Sequence, residues 1–169
     1  MSLVPMMVPT IESSDWAMKL EGLLALHRLV HAATAAELNW QRESLTSVLL
    51  RALVFWEEDA LSLSVPAAVR AVTAIQTLHG GASSPEGTAA LVACERMGAE
   101  LLRALGLVDN DAQRQIILEG LTSYVESTHL LVTQYMPVSS KQARPALSLN
   151  ALHVFMHCLH ACLAGSAIA

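Results

Sequence analysis

The sequence predicts an all-α, single-domain bundle of about six helices. Three observations point there. Apolar residues recur at three- and four-residue spacings, no stretch alternates apolar and polar residues as a half-buried strand does, and Pro, Gly, Ser and Asp cut the chain into helix-length segments. With 169 residues the chain is long enough to bury a core of its own.

The elements follow from that punctuation. Residues 1–13 are expected to be disordered or extended, ahead of a helical bundle spanning 14–169. Ser13, Ser14 and Asp15 can cap a first helix running to about Leu38. A second covers about Glu43 to Leu63, and Pro66 suits the first turn of a third, which stops at His79, Gly80 and Gly81. Ser84 and Pro85 open a fourth, whose apolar stripe is Leu91, Cys94, Gly98, Leu101, Leu102 and Leu105, with Gly106 as a left-handed C-cap. Asp109, Asn110 or Asp111 starts the fifth, which ends at Met136 because Pro137 follows; Ile117, Leu121, Tyr124, Leu131 and Tyr135 mark its buried face. After a polar connection from Val138 to Ala146, a last helix begins near Ser148.

Composition narrows the function. The hydrophobic fraction is 53% and the charged fraction 15%, against roughly 45–50% and about 25% for ordinary globular proteins, and the mean hydropathy is +0.44. So few charges leave helix faces presenting Leu, Val and Ala outward, which is expected of a homo-oligomer or of a protein with a protein partner. A net charge of −5, with Lys19 and Lys141 the only lysines and the arginines scattered, gives no basic stripe for phosphates and argues against nucleic acid. Met1 to Thr10 lack the cationic start and long apolar core of a secretory signal. The three cysteines are an odd number, and Cys158 and Cys162 lie one helical turn apart, so a reducing, cytoplasmic setting is expected.

The most unusual stretch is Pro145 to Ala169, which has no Asp, Glu, Lys or Arg but holds three of the seven histidines. Wound as a helix it places Asn150, His153, His157 and His160 on one face, an arrangement that suits an interface. Imidazoles desolvated there would charge near pH 6 and oppose association. The same stretch is long enough to cross a bilayer, but the histidines and Asn150 argue against a membrane span.

A second pair, His27 and His31, lies one turn apart on the first helix. Projected at about 100° per residue, both fall within the arc of Trp16, Leu20, Leu23, Leu24 and Leu38 and are expected to face inward. The commoner role of such a histidine is a core residue bonded to a carbonyl or hydroxyl. The alternative is a transition-metal or haem site in which His27 and His31 join His153, His157 and His160, with Zn, Cu or haem as cofactor. Glu126 and His129 form an E-x-x-H, but no second copy supports a di-iron centre, and Glu57, Glu58, Glu95 and Glu100 fit it only if forced.

No catalytic residue can be named: there is no G-x-S-x-G, no phosphate-binding glycine loop, and Cys94, Cys158 and Cys162 fall on or near apolar faces that raise thiol pKa. An apolar ligand pocket lined by Trp16, Trp40 and Trp56 ranks below the other readings. The sequence therefore favours a non-enzymatic binding or assembly module, with the metal- or haem-binding bundle as the alternative and no cofactor under the first reading.

Overall fold

In the computed structural model, which describes residues 4–79 and 85–135, a 3-10 turn (Val4–Met7) leads into α1 (Val8–Ile11), α2 (Trp16–Ala32), α3 (Ala35–Trp40), α4 (Arg42–Ala52), α5 (Glu58–His79), α6 (Pro85–Leu105) and α7 (Asp111–Tyr135). The all-α class stands, and no strand occurs among the described residues. The segment expected to be extended or disordered is helical from Val4 to Ile11. Its two apolar ends are the reason: Val4 and Ile11 are both buried in the main core. Gly22 of α2 makes room for the end of α1, since a Cβ there would come within 3.1 Å of Ile11 Cγ1 and Thr10 Cγ2.

The first long helix is two helices. Asp15 caps α2, its Oδ1 accepting from the Ala17 N–H at 2.9 Å. The chain then turns at Ala33 and Thr34 and restarts with a capping box: the Thr34 hydroxyl accepts from the Glu37 N–H at 3.3 Å, and the Glu37 carboxylate accepts from the Thr34 N–H at 2.8 Å. A cap of this kind contributes about 1 kcal/mol, enough to favour a restart over an uncapped continuation. The Glu37 carboxylate accepts from both the Thr34 N–H and, at 2.8 Å, the Thr34 hydroxyl, and these two bonds hold its pKa below the ordinary value.

The next boundary also moves. The chain breaks at 53–57, and α5 runs unbroken through Pro66 instead of starting there. Glu57, Glu58 and Asp59 supply the physical reason: three acids in succession are stabilised at a helix N-terminus, and the Leu61 N–H bonds to the Glu57 carbonyl at 2.9 Å. Pro66 removes one rung from the middle of the helix but leaves the helix in place.

Helix α5 is the centre of the bundle. It packs against α2, α3, α4, α6 and most extensively α7. Its buried positions include Ala60, Ala67, Ala68, Ala71 and Ala74 beside Leu61, Val65, Val72 and Ile75. The alanines keep neighbouring backbones close, and the larger residues fill the space between them. Helix α7 meets it through Gly120, where an added Cβ would lie 2.2 Å from Val65 Cγ1. Helix α6 meets α7 through Gly98, over which the Tyr124 ring lies with its hydroxyl 3.4 Å from the Cys94 carbonyl.

The outer ends of these helices follow ordinary chemistry. Asn110 caps α7, its side chain accepting from the Ala112 N–H at 2.8 Å. Gly106 closes α6 without itself being left-handed: its N–H bonds to the Leu102 carbonyl at 3.2 Å, and the Leu107 and Val108 N–H groups both reach the Ala104 carbonyl. One described helix segment, Glu58–Leu78, is long and apolar enough to cross a membrane, and 56% of it is buried inside the bundle. The charge-free stretch from Pro145 lies outside the described residues.

Candidate functional site

Of the histidines singled out by the sequence, the structure describes the side chains of His27 and His31, and it brings them together. Their ring centroids are 4.3 Å apart with the planes tilted by 39°. The i, i+4 spacing on α2 produces this directly. His27 is half-buried and its Nδ1 lies 3.2 Å from the Leu63 carbonyl of α5. His31 is exposed, which corrects the expectation that both face inward. The buried stripe of α2 is Gly22, Leu23, Leu26 and Val30; Leu38, which drew the projected arc toward His31, belongs to α3 beyond the break.

Partial burial, then His27, then Arg70 push the His31 pKa below its ordinary value of 6.5. A base with a depressed folded-state pKa binds fewer protons folded than unfolded. Its contribution is therefore constant above pH 6.5 and destabilises progressively as pH falls from 6.5 toward the lowered folded value. The expected result is a urea midpoint that falls between pH 7 and 5.5, with part of that slope removed in His31→Gln. Equal slopes in the two proteins would show that His31 does not take part.

Asn150, His153, His157 and His160 lie outside the described residues. Among the described residues no three His, Cys, Asp or Glu side chains converge on one point. Glu57, Glu58 and Glu126 are exposed, Glu95 and Glu100 are partly exposed, and Glu100 accepts from Arg103 at 2.7 Å. The side chain of His129 lies outside the described set. Cys94 is buried, its thiol directed at the Val72 carbonyl at 3.9 Å and pushed up to about 12 by burial, so it is a packing residue rather than a nucleophile. Trp16 and Trp56 are half-buried, and Trp40 is 74% exposed at the end of α3.

A groove of about 840 Å³ lies elsewhere, between α4 and α6. Its apolar walls are Leu50, Val54 and Phe55 on one side and Ala89, Val92 and Ala93 on the other. Val54 and Val92 are 43% and 51% exposed, large values for valines inside a groove and a sign that its walls meet the exterior. Charged residues rim it: Arg42, Arg51 and Arg96 against Glu12 and Glu43. Glu12 is paired with Arg51, which ties α1's C-terminal end to α4. Arg42 donates to Asn39 at 3.2 Å, and no ion pair engages Arg96 among the described residues. Thr46 also lines the groove, buried and with its hydroxyl lacking a hydrogen-bond partner.

Sequence reasoning missed this groove because its two walls are 34 or more positions apart in the chain, from Phe55 to Ala89 and beyond. The signal available in the chain was the spacing of Arg42, Thr46 and Leu50, one turn apart each, which lays a mixed cationic, polar and apolar stripe along α4, with Val54 just past its end. Compared with known proteins, the chain matches no family model, no curated protein and no solved structure, so its chemistry rests on its own residues.

Proposed function

We propose that the chain is a non-enzymatic helical binding module that acts through protein-protein association, and that its partner surface is the α4/α6 groove. The observation that carries this reading is the combination of an open apolar floor with an arginine-rich rim. Apolar walls along two helices suit the apolar face of a third helix laid between them. The rim selects the chemistry of that helix: Arg51 is already matched by Glu12, so the groove's remaining charges are Arg42 and Arg96 against Glu43. An amphipathic partner helix with acidic side chains flanking its apolar anchors meets both demands. Low charge overall, with exposed Met6, Met18, Trp40 and Leu107 on other faces, is in keeping with a protein that works in an assembly.

The test places a photo-crosslinking phenylalanine analogue at Val92 in the groove, or at exposed Ala112 at the start of α7, in the full chain in cells. A discrete adduct from position 92 is expected, none from 112, and the adduct should weaken with salt and with Arg96→Glu. Absence of an adduct at 92, or an adduct indifferent to the charge reversal, would overturn the groove as the partner surface. An adduct of twice the chain mass that also weakens with the charge reversal would identify the partner as a second copy, which is the homo-oligomer form of the same reading.

A further inference from the structure

Helix α2 carries an arrangement that the groove does not use. His27 and His31 stand one turn apart with ring centroids 4.3 Å from each other, and a carbonyl from α5 meets one of them. Because a carbonyl only accepts, the 3.2 Å contact to Leu63 requires the hydrogen on His27 Nδ1, which donates it. The tautomer is thereby set, and the lone pair falls on Nε2. Metal-ligating histidines are held in this way, one ring nitrogen donating to a carbonyl while the other faces the ion. His31 is exposed and can turn its ring toward a shared ion without moving the core.

We propose that His27 and His31 form a two-imidazole site for a late first-row divalent transition ion, with Cu2+ held more tightly than Ni2+ or Zn2+. The preference among the ions follows the general order of affinity for nitrogen ligands. Binding needs neutral imidazoles, and the surroundings of His31 favour its neutral form. Arg70, whose charge reaches His31, opposes the cation and keeps the site in the weak, exchanging class. No third His, Cys, Asp or Glu joins the pair among the described residues, so the remaining coordination positions go to water or to a donor brought by another molecule. This inference is independent of the partner groove and stands or falls separately.

The experiment uses the full chain without an affinity tag. Cu2+, Ni2+ and Zn2+ are titrated while thermal unfolding and binding heat are followed for the native protein, for His31→Ala, and for a variant with His153, His157 and His160 all replaced by Gln. A site assembled only in the folded helix raises the melting temperature when it fills. His31→Ala removes an exposed side chain, so folding is not at stake, and loss of one of two chelating ligands is expected to weaken binding by about tenfold or more, at least what loss of an outer-shell partner costs. The variant lacking the three C-terminal histidines should keep the metal-dependent rise. No rise in the native protein, or a rise that survives His31→Ala and vanishes in the triple variant, would overturn the site.

Discussion

Gly120→Ala is expected to destabilise the protein by about 1–3 kcal/mol, the ordinary cost of forcing extra atoms into a packed interface. Two effects compete, and their sizes decide the sign. Replacing a helix-interior glycine by alanine favours the helix by about 0.5–1 kcal/mol. Against that, the new methyl would lie 2.2 Å from Val65 Cγ1, far inside contact distance. Val65 cannot swing aside cheaply, because a β-branched side chain in a helix has one strongly preferred rotamer. Helices α5 and α7 must then separate, which loosens the most extensive contact in the bundle. The second variant makes the argument specific: Val65→Ala removes the clashing carbon, so Gly120→Ala in that background should cost less than in the native protein. Urea midpoints for the four proteins of this cycle measure the coupling. A Gly120→Ala protein as stable as the native one would mean that α5 and α7 do not approach as described.

The other large effect belongs to Tyr124. Removing its ring with Tyr124→Ala is expected to cost about 3–5 kcal/mol, in the range for deleting a buried aromatic side chain. The ring is 5% exposed and fills the space that Gly98 leaves open on α6. Tyr124→Phe keeps the ring and loses the hydroxyl's contact with the Cys94 carbonyl, a loss of about 0.5–1.5 kcal/mol. The gap between the two substitutions separates packing from hydrogen bonding. Equal losses for Phe and Ala would place the stabilisation in the hydroxyl and contradict the packing account.

The fold class was legible because helical spacing of apolar residues persists along the chain, and the end of α6 at Leu105 and the start of α7 beside Asn110 fall within a residue or two of where the punctuation puts them. The misplaced boundaries had signals too, of a quieter kind. Thr34 and Glu37 form a capping pattern that an alanine-rich surrounding obscures, and the acidic run Glu57 to Asp59 marks a helix start more strongly than Pro66 does. The N-terminal turn was not legible: Val4 and Ile11 gain their place from a core supplied by distant helices, and residues 1–13 alone give no hint of it. Of the candidate site residues, the proximity of His27 and His31 follows from spacing, whereas the outward turn of His31 depends on where α2 ends and which face α1 and α5 cover.

The central position of α5 sets the order of events during synthesis. Val65 and Gly120 are 55 residues apart in the chain, so the helix that five others cover is made well before α7, its main cover, exists. At ordinary elongation rates of about 5–20 residues per second, that interval is roughly 3–11 s. For that time an alanine- and valine-rich helix, apolar enough to pass for a membrane span, stands partly bare at the ribosome. Until α7 arrives that surface is open to association with other chains, so the bundle's exposure to aggregation is set by the timing of its last described helix.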